Sequence, residues 1–212
     1  MKRIGILHVV TSEDRDFLEH HQRLIQAEHL DFVFETRCLP EQPNGICDAA
    51  TLAHALPQIE ALAGNWAAGL DGLIISCAAD PGLKKLRATL PIPVIGAGKA
   101  CCERALALGT RIGVIGIEAD APPVFHVRLG DRLIRYRQPD GVACTHDIHS
   151  DAGKQATIAA VKALEVDCAD VITLACTGMA TTDVAALVAP YTDLPVINPV
   201  LAAGEILTER LR

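Results

Sequence analysis

The chain has 212 residues, half of them hydrophobic but only 3% aromatic, and a formal net charge of −7. That length suits one ordinary domain or two small joined lobes, and its core must be filled by Ala, Leu, Ile and Val, as between helices and a parallel sheet. An acidic balance without a basic run argues against nucleic acid or an anionic membrane as partner and leaves a small molecule.

In chain order, Ile4 to Val10 reads as a buried strand, and Thr11-Ser12 caps a helix whose inward stripe is Phe17, Leu18, His21, Leu24 and Ile25. Met1-Lys2-Arg3 before this apolar run only faintly imitates a signal peptide. Charged Glu13-Asp14-Arg15-Asp16 follows without a small-residue cleavage site. Asp31 to Arg37 is the next strand, and Asp48 to Ala67 a long helix interrupted near Pro57. Leu73 to Cys77 is a strand, Asp80-Pro81 opens a short helix, and Pro93 to Ile95 is a further strand. The pattern then restarts. Ile112 to Ile117 is a strand, a Pro-containing segment surrounds Pro122-Pro123, and Leu133 to Arg137 is another strand. A helix from Gly153 carries Ile158, Val161 and Leu164, and the strand Val171 to Cys176 follows. A helix over Met179 to Val188, the strand Pro195 to Ile197 and a helix to Leu211 complete the chain.

The repeat is visible in the residues. Lys2-Arg3-Ile4-Gly5-Ile6 matches Thr110-Arg111-Ile112-Gly113-Val114, and Pro93-Val94-Ile95 matches Pro195-Val196-Ile197. Matching points lie roughly 100 residues apart, the mark of duplicated βα lobes. The expected architecture is α/β: two pseudo-symmetric Rossmann-like or flavodoxin-like lobes with mostly parallel sheets, residues 1–96 and 97–212, the last helix packing back on the first lobe. The site is expected in the cleft between them. No apolar stretch reaches membrane-spanning length, so a soluble protein is expected.

Each half contains one strand that runs into a cysteine followed at once by small residues: Ser76-Cys77-Ala78-Ala79 and Ala175-Cys176-Thr177-Gly178. A thiol at the carboxyl end of a parallel strand points at the crevice where α/β proteins bind ligands. A helix beginning just after it turns unpaired N–H groups toward the sulfur, so both thiols are expected to ionise more easily than a free one. Two such thiols facing one ligand from opposite sides are equipped to remove and return a proton at one carbon. Taken singly, each cysteine would more often be core than catalyst. Position and pairing favour chemistry.

Ser76-Cys77-Ala78-Ala79-Asp80-Pro81-Gly82-Leu83, Pro93-Val94-Ile95-Gly96 and Ala175-Cys176-Thr177-Gly178-Met179-Ala180 together resemble the motifs of the aspartate/glutamate/hydantoin racemase family, most nearly its hydantoin and allantoin branch. Ala78-Ala79 stand where Phe-Gly is common. The resemblance implies a cofactor-independent two-base racemase in which one thiolate, Cys77 or Cys176, removes a proton and the opposite thiol protonates the other face. It also implies Ser76 and Thr177 hydroxyls and the amides of Ala78, Ala79 and Gly178 as donors to an enolate-like intermediate.

The exit of the first strand departs from that branch, which usually has Asn-Pro-Asn-Thr where this chain has His8-Val9-Val10-Thr11-Ser12. Thr11 and Ser12 are carried over as substrate contacts, with helix capping as the alternative. His8 is either a polar contact in place of asparagine or a satisfied histidine at a strand end. No acid or imidazole directly follows either cysteine, which favours a 5-substituted hydantoin or allantoin over an amino acid. Lys99, after Gly96-Ala97-Gly98, is a candidate for pairing a carboxylate, with a solvated surface lysine as the commoner outcome. An aspartate or glutamate racemase and a maleate-isomerase-like enzyme are the near alternatives. A non-catalytic small-molecule-binding module is the reading from another class.

Other clusters carry less. Cys144, His146 and His149 with Asp147 and Asp151 form a short mixed run without a second cluster, which reads as a polar loop over the cleft; no metal site is expected. His20-His21 lies on a charged helix where no site role is expected. Of Cys101-Cys102, one is expected in the core. Eight cysteines without a CxxC pair point to reduced thiols and the cytoplasm, and the resemblance implies a homo-oligomer.

Overall fold

In the computed structural model, which describes residues 1–28 and 31–212, eight strands alternate with helices. They are β1 (Lys2–His8), α1 (Arg15–Glu28), β2 (Phe32–Cys38), α2 (Ala49–Trp66), β3 (Gly72–Ser76), α3 (Leu83–Thr89), β4 (Val94–Gly96) and α4 (Ala97–Leu108). There follow β5 (Ile112–Ile115), α5 (Pro123–Leu129), β6 (Leu133–Arg137), α6 (Asp151–Val166), β7 (Val171–Leu174), α7 (Gly178–Thr181), α8 (Val184–Val188), β8 (Val196–Ile197) and α9 (Pro199–Leu211). The strands form two four-stranded sheets, β2-β1-β3-β4 and β6-β5-β7-β8, with every pairing parallel. Each follows the flavodoxin-like order. Met1–Ala97 with Ala203–Arg212 make one compact unit, and Gly98–Ala202 the other. Among the described residues no helix is long and apolar enough to cross a membrane.

One device sets the register of both sheets. Asp71, just before β3, accepts the Arg3 N–H at 2.7 Å and donates its own N–H to the Arg3 carbonyl at 2.8 Å. Asp170, just before β7, does the same with Arg111, at 2.9 and 2.8 Å. In the first unit Leu7, Leu73 and Ile75 pack with Ala55, Ile59, Ala63 and Trp66 of α2 and Leu83 and Leu86 of α3. In the second, Ile115, Ile172 and Leu174 pack with Ile158, Val161 and Leu164 of α6 and with Met179, Val184 and Val188.

Three helix boundaries differ from the sequence reading. The long second helix is not interrupted at Pro57: α2 continues through it. Pro57 is exposed, so its missing N–H and bulky ring fall on the solvent side, while Ala55, Ile59 and Ala63 hold the inner face. The first helix is capped by Asp14, not by Thr11-Ser12, since Asp14 Oδ1 accepts the Asp16 N–H at 2.9 Å. The expected helix over Met179 to Val188 divides into α7 and α8 because Asp183 takes the left-handed conformation at φ 49°. Thr181, Thr182 and Asp183 are residues whose side chains compete for backbone partners.

At the start of α6, Ser150 Oγ caps the Gly153 N–H at 3.0 Å. Gly153 sits so close to the Asp147 carbonyl that a Cβ there would overlap it. The substitution Gly153→Ala is therefore expected to destabilise the protein by about 2 to 3 kcal/mol in urea unfolding. Gly64→Ala, in open space on α2, should instead stabilise it by roughly 0.5 to 1 kcal/mol.

Candidate active site

In an open parallel sheet, ligands bind beyond the carboxyl ends of the strands where strand order reverses. That point lies between β1 and β3 in the first sheet and between β5 and β7 in the second. Cys77 directly follows β3. Cys176 follows Ala175, whose N–H extends the β7 ladder to the Ile115 carbonyl at 2.7 Å. Both thiols are free and partly buried, Cys77 at the edge of the first core and Cys176 at the edge of the second. The chain turns alike after each. The Cys77 carbonyl accepts the Asp80 N–H, and the Cys176 carbonyl the Met179 N–H, both at 3.1 Å.

The surroundings then diverge. At Cys176 the N–H groups of Gly178 and Met179 favour the thiolate, as expected, but burial outweighs them and the nearby Glu118 charge adds to it. The thiol is pushed up from its ordinary value. The expectation of easier ionisation is thus corrected at Cys176, because desolvation of a buried anion exceeds what two backbone dipoles return. Glu118 and Tyr136 were not singled out in the sequence. Tyr136 lies across the end of β5, where a Cβ on Gly116 would overlap its hydroxyl, and that hydroxyl donates to the Glu118 carbonyl at 2.6 Å. Burial, then the charges of Glu118 and others including Cys176, raise the phenol, so Tyr136 stays protonated. Desolvation also raises the Glu118 carboxyl. A Gly-x-Glu at the exit of the strand matching β1 was the available signal. Its meaning depends on Tyr136 arriving from β6.

After Cys77 the next helix starts later than expected. Asp80 does not open a helix: it adopts φ 53°, a strained conformation for a non-glycine residue. Its side chain lies over Gly96, where a Cβ would overlap it, and α3 begins only at Leu83 after left-handed Gly82. Ala78 is buried and Ala79 exposed. Ser76 is buried, and its Oγ lies 2.8 Å from His21 Nδ1 on α1. His21 lies on the packed face of its helix and meets the residue before Cys77.

His8 is 2% exposed, its ring stacked on His21 at 4.7 Å and tilted against Phe17 at 5.5 Å. Burial lowers its pKa from 6.5 to about 4, so the imidazole is neutral, and no partner meets its Nε2 among the described residues. The Thr11 hydroxyl donates to the Leu39 carbonyl at 2.7 Å and accepts the Gln42 N–H at 2.6 Å, tying the β1 exit to the loop after β2. Ser12 Oγ accepts the Asp14 N–H at 3.2 Å. Thr177 and Gly178 are partly buried, and Thr145 stands so close to Gly178 that a Cβ there would overlap it. This brings the 144–149 segment beside the Cys176 turn. Within it Cys144, His146 and His149 are exposed, and among the described residues no three His, Cys, Asp or Glu gather to hold a metal. Lys99 is partly buried in the first turn of α4. Cys101 and Cys102 are both fully buried, correcting the expectation that only one enters the core. The Cys101 thiol points at the Ile197 carbonyl at 3.5 Å.

Two flavodoxin-like sheets, each delivering a thiol to its switch point, define the class: a two-lobed enzyme of the racemase fold. A profile of the Asp/Glu/Hydantoin racemase family matches residues 4–207, and the chain belongs to that family, within the isomerases. Among solved structures it is similar to an allantoin racemase from Klebsiella pneumoniae, at 24% identity and TM-score 0.83, over 99% of this chain and 87% of that one. An allantoin racemase from Pseudomonas fluorescens is similar at 21% identity and TM-score 0.81, over 99% and 91%. A glutamate racemase from Bacillus anthracis follows at 17% and 0.74, over 99% and 81%. A comparison with curated proteins by sequence found no significant match.

Two outcomes follow from these surroundings. Because the His8 pKa is depressed from 6.5 to about 4, its contribution to stability is complete above pH 6.5 and is lost as pH falls toward 4, where the unfolded chain takes up the proton first. Urea unfolding should show a loss on the order of 3 kcal/mol across that window, missing in His8→Phe. Second, Glu118→Gln should lower the Cys176 pKa and speed iodoacetamide labelling of that thiol at neutral pH, read by mass spectrometry. An unchanged rate would remove the carboxylate from the account.

Proposed function

We propose that this racemase works without a cofactor, with Cys77 and Cys176 as its two acid–base groups, on a 5-substituted hydantoin or allantoin-like ring. The observation that carries this reading is the recurrence of a partly buried free thiol at the same place in two sheets of the same strand order. In the reaction, one thiolate takes the proton from the stereogenic carbon, and the C–H electron pair moves into the adjoining carbonyl as an enolate. The other thiol returns a proton to the opposite face, so the sulfurs exchange protonation states. A carbon acid beside a carbonyl holds its proton more tightly than a thiol does, so this step needs donors aimed at the enolate oxygen. We assign that task to the amides after each cysteine and to the Thr177 hydroxyl. Ser12 retains a hydroxyl proton to donate, while Thr11 shapes the loop that carries it.

The raised pKa of Cys176 supports a Cys176 that is protonated at rest and is the thiol that donates first. Ala78 and Thr177, directly after the cysteines, are uncharged and so favour a ring without an ammonium group. We further place the protein in the cytoplasm as a homo-oligomer, since a reducing compartment keeps eight thiols unpaired.

Incubation in deuterated water with 5-substituted hydantoins, allantoin, aspartate and glutamate, followed by polarimetry and proton NMR, tests this. Solvent deuterium should enter the stereogenic carbon of a hydantoin or allantoin as optical rotation decays. Cys77→Ser and Cys176→Ser should each slow racemisation by about a thousandfold or more. Binding without exchange across the panel would indicate a sensor, and exchange confined to amino acids would reassign the substrate.

A further inference from the structure

The strand that carries Cys77 is held unevenly at its exit. β3 pairs with β4 only as far as Ile75↔Gly96, whereas its pairing with β1 continues to His8↔Ser76. Ser76 is thus the last paired residue of β3. Its side chain turns to α1, where Oγ meets His21 Nδ1 at 2.8 Å, and both residues are nearly inaccessible, at 3% and 2% exposure. His8, in register with Ser76, backs this bond with its ring stacked on His21 at an interplanar angle of 27°. Side chains alternate across a strand, and Cys77 accordingly packs on the other face, against the core of Leu7, Ile75 and Ile59. His21 reaches the sulfur through Ser76 and the backbone between residues 76 and 77.

The second unit has nothing equivalent. Ile4↔Gly72 and Ile112↔Val171 are matching pairs, so the counterparts of His8 and Ser76 are Gly116 and Ala175, neither with a polar side chain. The arrangement is specific to the strand bearing Cys77.

We propose that His21 is a positioning residue for the Cys77 thiol, acting through its hydrogen bond to Ser76 Oγ with the His8 ring behind it. The proposal rests on the reading of Cys77 as one of the two bases. A reacting group displaced by about 1 Å can lose on the order of a hundredfold in rate, and the buried Ser76–His21 bond fixes the residue next to the sulfur.

The test compares Ser76→Ala, His21→Leu, His21→Asn and the double variant Ser76→Ala/His21→Leu, with Cys77→Ser in parallel. Urea stability, kcat, KM and the iodoacetamide labelling rates of Cys77 and Cys176 are measured. Ser76→Ala and His21→Leu should each lower kcat about tenfold with KM within about twofold, and should change labelling of Cys77 but not of Cys176. The double variant should be no slower than the worse single one, as expected when both remove the same interaction. His21→Asn, whose side-chain amide takes the place of Nδ1, should recover most of kcat. Folded Ser76→Ala and His21→Leu with wild-type kcat, while Cys77→Ser is inactive, would overturn the positioning role alone. Multiplying losses in the double variant, or no rescue by asparagine at matched stability, would do the same. Racemisation by Cys77→Ser would overturn the functional reading and this inference together.

Discussion

The site depends on strand register, and register is set at the end of each sheet away from the cysteines. Asp71 and Asp170 each donate a backbone N–H to the carbonyl of an arginine at the start of the central strand and use a carboxylate oxygen to hold that arginine's N–H. With these pairs fixed, β3 and β7 run a set number of residues before leaving the sheet, and the next residues past their exits include Cys77 and Cys176. In a structure with a side-chain period of two, a slip of one residue would send each sulfur to the opposite face. The Coulombic part of an exposed carboxylate is small. Its geometric consequence reaches the whole length of the strand.

On this common frame the chain continues differently after the two cysteines. Cys176 has the helix amides expected of a cysteine after a parallel strand, yet burial and the Glu118 charge hold it protonated. After Cys77 the turn closes through strained Asp80 and α3 begins only at Leu83, while Ser76 of the same strand bonds His21. In the proposed two-base reading one thiol must be protonated while the other is not, and a Cys176 held protonated suits the proton donor.

Much of the fold was legible in the residues because buried parallel strands are written as short, nearly continuous apolar runs. Ile4-Gly5-Ile6-Leu7 and Ile112-Gly113-Val114-Ile115 are such runs, and both became central strands. Local signals misled where they competed with packing. Pro57 reads as a breaker, but it lies on the exposed side of α2, which continues through it with Ala55, Ile59 and Ala63 buried. Asp80-Pro81 reads as a helix start, but Asp80 was drawn into the left-handed region with its side chain over Gly96. Thr11 reads as a cap, and its hydroxyl instead joins two loops.

The sequence by itself determined the α/β class, the duplication and the matched cysteines, because hydrophobic period and repeated motifs are properties of neighbouring residues. Only the tertiary structure decided which side chains surround each sulfur. His21 is 55 residues from Ser76 along the chain, and Tyr136 is 18 from Glu118. Such partners meet only when α1 packs on β3, or when β6 pairs with β5. The ionisation of Cys176 follows the same rule: helix amides are announced by adjacent residues, whereas burial and the Glu118 charge exist only once distant segments close over the thiol.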